Sequence, residues 1–68
     1  MTNLKRIREA SGLSQSGLSD KSGVSIRNIR AYEAEGDQSS RDINKAQAIT
    51  LYQLAQALGC SMEDLLEK

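Results

Sequence analysis

Glycine and serine punctuate this sequence closely enough to fix its class before any hydrophobic pattern is considered. Gly12, Gly23, Gly36 and Gly59 each follow a run with helical periodicity, and Ser14, Ser25 and Ser61 each precede the next run. A glycine just past a helix supplies the left-handed backbone that ends it. A serine just before one accepts a hydrogen bond from a first-turn N–H that has no partner inside the helix. The spacing predicts short helices and leaves little room for strands. In 68 residues this makes one domain over 1–68. A chain of that length buries only about 60% of the surface it exposes when unfolded, so association with a second copy is expected to help.

Leu4, Ile7 and Ala10 form the apolar stripe of a first helix over about 2–11, with Lys5, Arg6 and Glu9 turned to water. Ser14 caps a second over about 15–21, with Leu18 inward; Gly17 and Ser19 inside it are poor helix formers, so packing must hold it. Ser25 caps a third over about 26–34, with Ile26, Ile29 and Tyr32 on one face and Gly36 as its stop. The polar run Asp37–Asp42 reads as a surface loop. Asn44 and Gln47, flanked by Ile43 and Ala48, resemble a capping box with its hydrophobic staple, which predicts a fourth helix over about 45–58. Its inward stripe is Leu51, Leu54, Ala55 and Leu58, and Gly59 stops it. Ser61 opens a last helix over about 62–67, with Glu63 and Asp64 in its first turn and Met62, Leu65 and Leu66 inward. The fold class is all-α, a compact five-helix domain.

The residue inventory excludes several functions. Cys60 is the single cysteine and there is no histidine, so neither an internal disulfide nor a Cys/His zinc site is available, and no metal or cofactor is expected. Without a nucleophile-base pair or a nucleotide-binding glycine motif, the chain does not read as an enzyme. Cys60 fits as a small residue at the junction of helices four and five. The absence of a signal-like run and of a long apolar stretch points to the cytoplasm and away from a membrane. Net charge is zero, but it is unevenly placed. Residues 1–33 hold six cations against three anions, and the remainder reverses that ratio.

Helices two and three, joined by a short turn containing Gly23, have the spacing of a helix-turn-helix, with Leu18, Val24 and Ile29 able to meet beneath the corner. A small helical bundle also contains such corners. The residues go further: LKRIREASGLSQSGLSDKSGVSIRNIRAYEAEG followed by LYQLAQALGCSMEDLLE resembles the Cro and phage-repressor-like helix-turn-helix regulators, the xenobiotic-response-element family. The matching elements are L-x-x-I-R, G-L-S-Q, G-V-S, Y-E, L-A-x-A-L-G and D-L-L, over nearly the whole chain. The run D-I-N-K-A-Q-A-I-T-L-Y is similar to that of a subgroup of the family.

The resemblance implies a lambda-repressor-like fold, a double-stranded DNA partner with a palindromic operator, and a homodimer. It places Ile26, Arg27, Arg30 and Ala31 at base-facing positions and Gln15, Ser25 and Asn28 near phosphate. Arg27 is the first choice as reader, since a guanidinium can engage guanine O6 and N7 together. Arg41 and Lys45 are expected near the DNA backbone, with Asp37 and Asp42 opposing them. Arg8 and Glu33 match an internal ion pair. Two departures stand out. Gly17 and Leu18-Ser19 replace an acidic residue and a Leu-Ala step, which should weaken the cap and loosen the packing, and Asp37–Arg41 looks inserted. A different reading stays open: a helix-turn-helix protein-interaction module, antitoxin-like or an antirepressor subunit, with little or no DNA binding. Ile49 and Tyr52 project off the core stripe, toward either the inserted loop or a dimer surface.

Overall fold

Side-chain caps begin four of the five helices in the computed structural model, which describes residues 2–35 and 40–67. The helices are α1 (Asn3–Ala10), α2 (Gln15–Ser22), α3 (Ile26–Glu33), α4 (Ala48–Leu58) and α5 (Met62–Leu65), with a 3-10 turn at Ile43–Lys45 and no strand among the described residues. The hydroxyls of Thr2, Ser14, Ser25 and Ser61 accept from the N–H groups of Lys5, Gly17, Asn28 and Asp64. Gly23 and Gly59 stop α2 and α4 in the left-handed region, at φ 78° and 69°. Each helix contributes one fully enclosed side chain: Leu4, Leu18, Ile29, Leu54 and Leu65. Each such burial is worth about 1.5–3 kcal/mol. Ala10, expected on the α1 stripe, is exposed instead, because Leu4 and the buried Arg8 define the inner face there.

The corner between α2 and α3 is held by hydrogen bonds between two serines of α2 and the turn residue Val24. Ser19 Oγ donates to the Val24 carbonyl at 2.7 Å, and the Val24 N–H donates to Ser22 Oγ at 3.1 Å. Both backbone groups of buried Val24 are thereby satisfied, so Ser19, expected to loosen the packing of α2, ties that helix to the turn. Ser14 likewise caps α2 despite Gly17, its Oγ accepting the Gly17 N–H at 2.9 Å. Packed below this corner is α4, which also meets α5, while α1 lies against α3 and α5.

The segment after α3 departs most from expectation. Helix α4 begins at Ala48, because Asp42 caps the 3-10 turn and Ala46 has an extended backbone that interrupts the helix. Lys45 therefore belongs to the turn. The Asn44–Gln47 capping box does not form: Gln47 makes no side-chain cap, and Asn44 pairs with the backbone of Glu67, accepting from its N–H at 2.8 Å and donating to its carbonyl. Glu67 Oε2 in turn accepts from the Asn3 N–H at 2.6 Å, and Asn3 Nδ2 donates to the Leu66 carbonyl at 2.8 Å. These bonds draw Leu66 into an extended backbone and end α5 at Leu65, short of the expected residue 67. Helix α3 ends at Glu33 with Ala34 extended. Gly36, expected as its stop, and Asp37 lie outside the described residues. An Asn44→Ala variant is expected to lose about 1–2 kcal/mol in urea denaturation, with two backbone groups deprived of partners, whereas Gln47→Ala should change stability by less than about 0.5 kcal/mol.

Candidate nucleic-acid interface

A buried ion pair sets the position of α3. Arg8 Nε and Nη2 donate to the two carboxylate oxygens of Glu33 at 2.7 and 3.0 Å, a bidentate pairing with both side chains nearly sealed from water. Arg8 Nη1 also donates to the Leu13 carbonyl at 2.8 Å. One guanidinium thus ties α1, the entry to α2 and the end of α3. The hydrogen bond to Glu33 raises the Arg8 pKa above its ordinary value, outweighing desolvation, so the charge persists at any working pH. The ion pair expected from the sequence is in place. Its link to Leu13 was not legible there, since a backbone carbonyl leaves no sequence signal.

From Glu33 the chain of hydrogen bonds continues outward. Gln15 Nε2 donates to Glu33 Oε1 at 3.0 Å, and Gln15 Oε1 accepts from Arg30 Nε at 3.3 Å. The carboxylate can only accept, so it turns the amide NH2 inward and leaves the oxygen facing Arg30. Gln15, expected near phosphate, has its side chain committed to these two partners; in α2's first turn Ser14 takes the Gly17 N–H, which leaves those of Gln15 and Ser16 to face an anion.

On the outer side of α3, Arg27 and Arg30 are exposed, while Ile26 and Ala31 are half-buried. These four side chains share one open cleft, and Arg41 joins them. Arg27 has no hydrogen-bond partner among the described residues. Ser25 is exposed, with its hydroxyl capping the Asn28 N–H at 3.2 Å. A neighbouring cleft brings together Asn28, Arg41, Lys45 and the start of α4 at Gln47 and Thr50, with Asp42 opposite. No side chain caps α4, so its first N–H groups add to the positive potential of Lys45 there. That uncapped end was missed from sequence because Asn44 read as a cap. Three arginines in one cleft, and Arg41 and Lys45 against Asp42 in the other, give both a positive balance of charge. No group of three or more His, Cys, Asp or Glu residues able to hold a metal occurs among the described residues.

A sequence model of the helix-turn-helix, Cro/C1 type, matches residues 4–65. The chain belongs to this helix-turn-helix family. No curated protein and no solved structure gives a significant match. Membership makes it a DNA-binding helix-turn-helix domain of the kind typical of transcriptional regulators, a family not typically enzymatic. The five-helix arrangement is consistent with the lambda-repressor-like fold. None of the helices among the described residues is long and apolar enough to cross a membrane. Half-buried Cys60 packs against the core, and burial, with Asp64 as a second cause, pushes its thiol pKa up, away from nucleophilic chemistry.

Removing one member of the buried pair in this helix-turn-helix domain strands the other charge. Glu33→Ala should therefore cost about 3–5 kcal/mol in chemical denaturation, while Arg8→Met combined with Glu33→Leu should recover most of that loss.

Proposed function

We propose that the chain is a sequence-specific transcriptional regulator, a repressor, that reads the major groove with α3 and acts by occupying its operator. The observation that carries this reading is the exposed outer face of α3, where the Arg27 side chain stands beside Arg30 without a partner among the described residues. In this reading Arg27 engages guanine O6 and N7 bidentately and Arg30 is the second reader. Ile26 contributes apolar contact to a thymine methyl, and Ala31 permits close approach. Ser25, Lys45 and the N-terminus of α2 at Gln15 lie along the phosphates, with positioning and no base readout.

The regulator acts as a two-fold homodimer on a palindromic site. The described residues extend 27 × 21 × 19 Å, shorter than the roughly 34 Å between successive major grooves on one face of DNA. One copy therefore reaches a single half-site. Ile49 and Tyr52 on α4, 57% and 51% exposed, offer apolar area for a second copy to cover. That same area favours the rival reading, a protein-interaction module. Titration of random duplex DNA at increasing salt separates them: the regulator shows salt-dependent binding, and an interaction module shows little even at low ionic strength.

Arg27→Ala is expected to weaken binding to the selected site by about 1–3 kcal/mol with an unchanged melting temperature. Gln15→Ala and Arg30→Ala are expected to couple, because Gln15 holds Arg30 through Nε. The double variant should fall short of the summed single losses by about 0.5–3 kcal/mol in fluorescence anisotropy.

A further inference from the structure

Arg41 comes from the segment that looks inserted, yet it is docked on α3. Its N–H donates to the Ala31 carbonyl at 2.9 Å, taking up one of the carbonyls that the last turn of a helix leaves without an internal partner. Its guanidinium Nη1 donates to Asn28 Oδ1 at 3.1 Å. Ala31 and Asn28 are three apart, one turn along the same helix face. The Arg41 side chain is therefore laid along α3 from its C-terminal half back toward its N-terminal end. That is the end of a recognition helix that reaches base edges.

We propose that Arg41 is a third base-reading side chain, held against α3 by Asn28 and presented beside Arg27 and Arg30. This rests on the DNA-binding reading above and replaces the backbone role expected for Arg41 from sequence. Three observations support it. Arg41 is exposed, it lines the same cleft as Ile26, Arg27, Arg30 and Ala31, and only one of its five guanidinium N–H groups is spent on Asn28. The remaining donors can form the two-pronged contact that a guanine edge accepts. A phosphate contact needs no such fixed orientation, since a mobile cation at the rim serves equally well. Asn28 is then a positioning residue, acting through Arg41.

The test is selection of bound sequences from a random duplex pool, with parent, Arg41→Ala and Asn28→Ala proteins compared side by side. Circular dichroism verifies that each is folded. The parent should enrich a defined site. Arg41→Ala should lose preference at one base pair per half-site and keep it elsewhere. Its affinity for that site should fall by roughly 5- to 150-fold, the range to which bidentate base discrimination converts. Asn28→Ala should relax the same base pair more mildly, and affinity of both variants for random duplex should hardly change. If Arg41→Ala enriches the parent's site unaltered, binds all sequences more weakly and has a salt slope lower by about one, Arg41 contacts phosphate and the proposal is overturned while the DNA-binding reading stands. If the parent enriches no sequence, both are overturned.

Discussion

The paired charges of Arg8 and Glu33 are what the position of α3 depends on. Two buried side chains of opposite sign, joined through both carboxylate oxygens, tolerate no sliding of α1 against α3, because any shift leaves a desolvated charge without its partner. The same guanidinium holds the loop that leads into α2 through Leu13. The same carboxylate orients Gln15, which orients Arg30. A core interaction is thus connected to an exposed side chain in three hydrogen-bonded steps. The order of Arg30 on the surface follows from burial two residues deeper, without a separate surface network.

A second constraint works on the opposite flank. The segment after α3 gives its Arg41 N–H to the Ala31 carbonyl, so it finishes the helix as well as leaving it. It then forms a short 3-10 turn that sinks Ile43 into the core, and starts α4 only at Ala48. Moving that start leaves the first turn of α4 without a side-chain cap, next to Lys45. Arg41 and Lys45 are thereby brought beside α3, while α2 packs on α3 and α4.

Most of the architecture was legible because it is encoded locally. Ser14, Ser25 and Ser61 each act on an N–H three residues away, and Gly23 and Gly59 each act on their own backbone, so a single sequence window contains the whole interaction. What was not legible is non-local. Asn44 has the sequence context of a cap, but its side chain is taken by Glu67, twenty-three residues on. Ser19 looked like a packing defect, because its bond to the carbonyl of Val24 exists only once the turn has closed. At the site, the outward face of α3 follows from helical periodicity with Ile29 and Tyr32 inside. The inward commitment of Gln15 and the docking of Arg41 require the fold, since each joins two helices or a helix and a distant segment.

The central claim is that the outer face of α3, with the two clefts beside it, is where this domain meets its partner, and that the partner is duplex DNA. Amide chemical-shift mapping tests it most directly: isotopically labelled protein is titrated with a duplex recovered by selection, and the perturbed residues are located. Changes are expected at Gln15 and Ser16, at Ser25 to Ala31, and at Arg41 to Gln47, with α5 and the inner face of α1 unmoved. Perturbation confined to the Ile49 and Tyr52 surface, or none at saturating duplex, would contradict it.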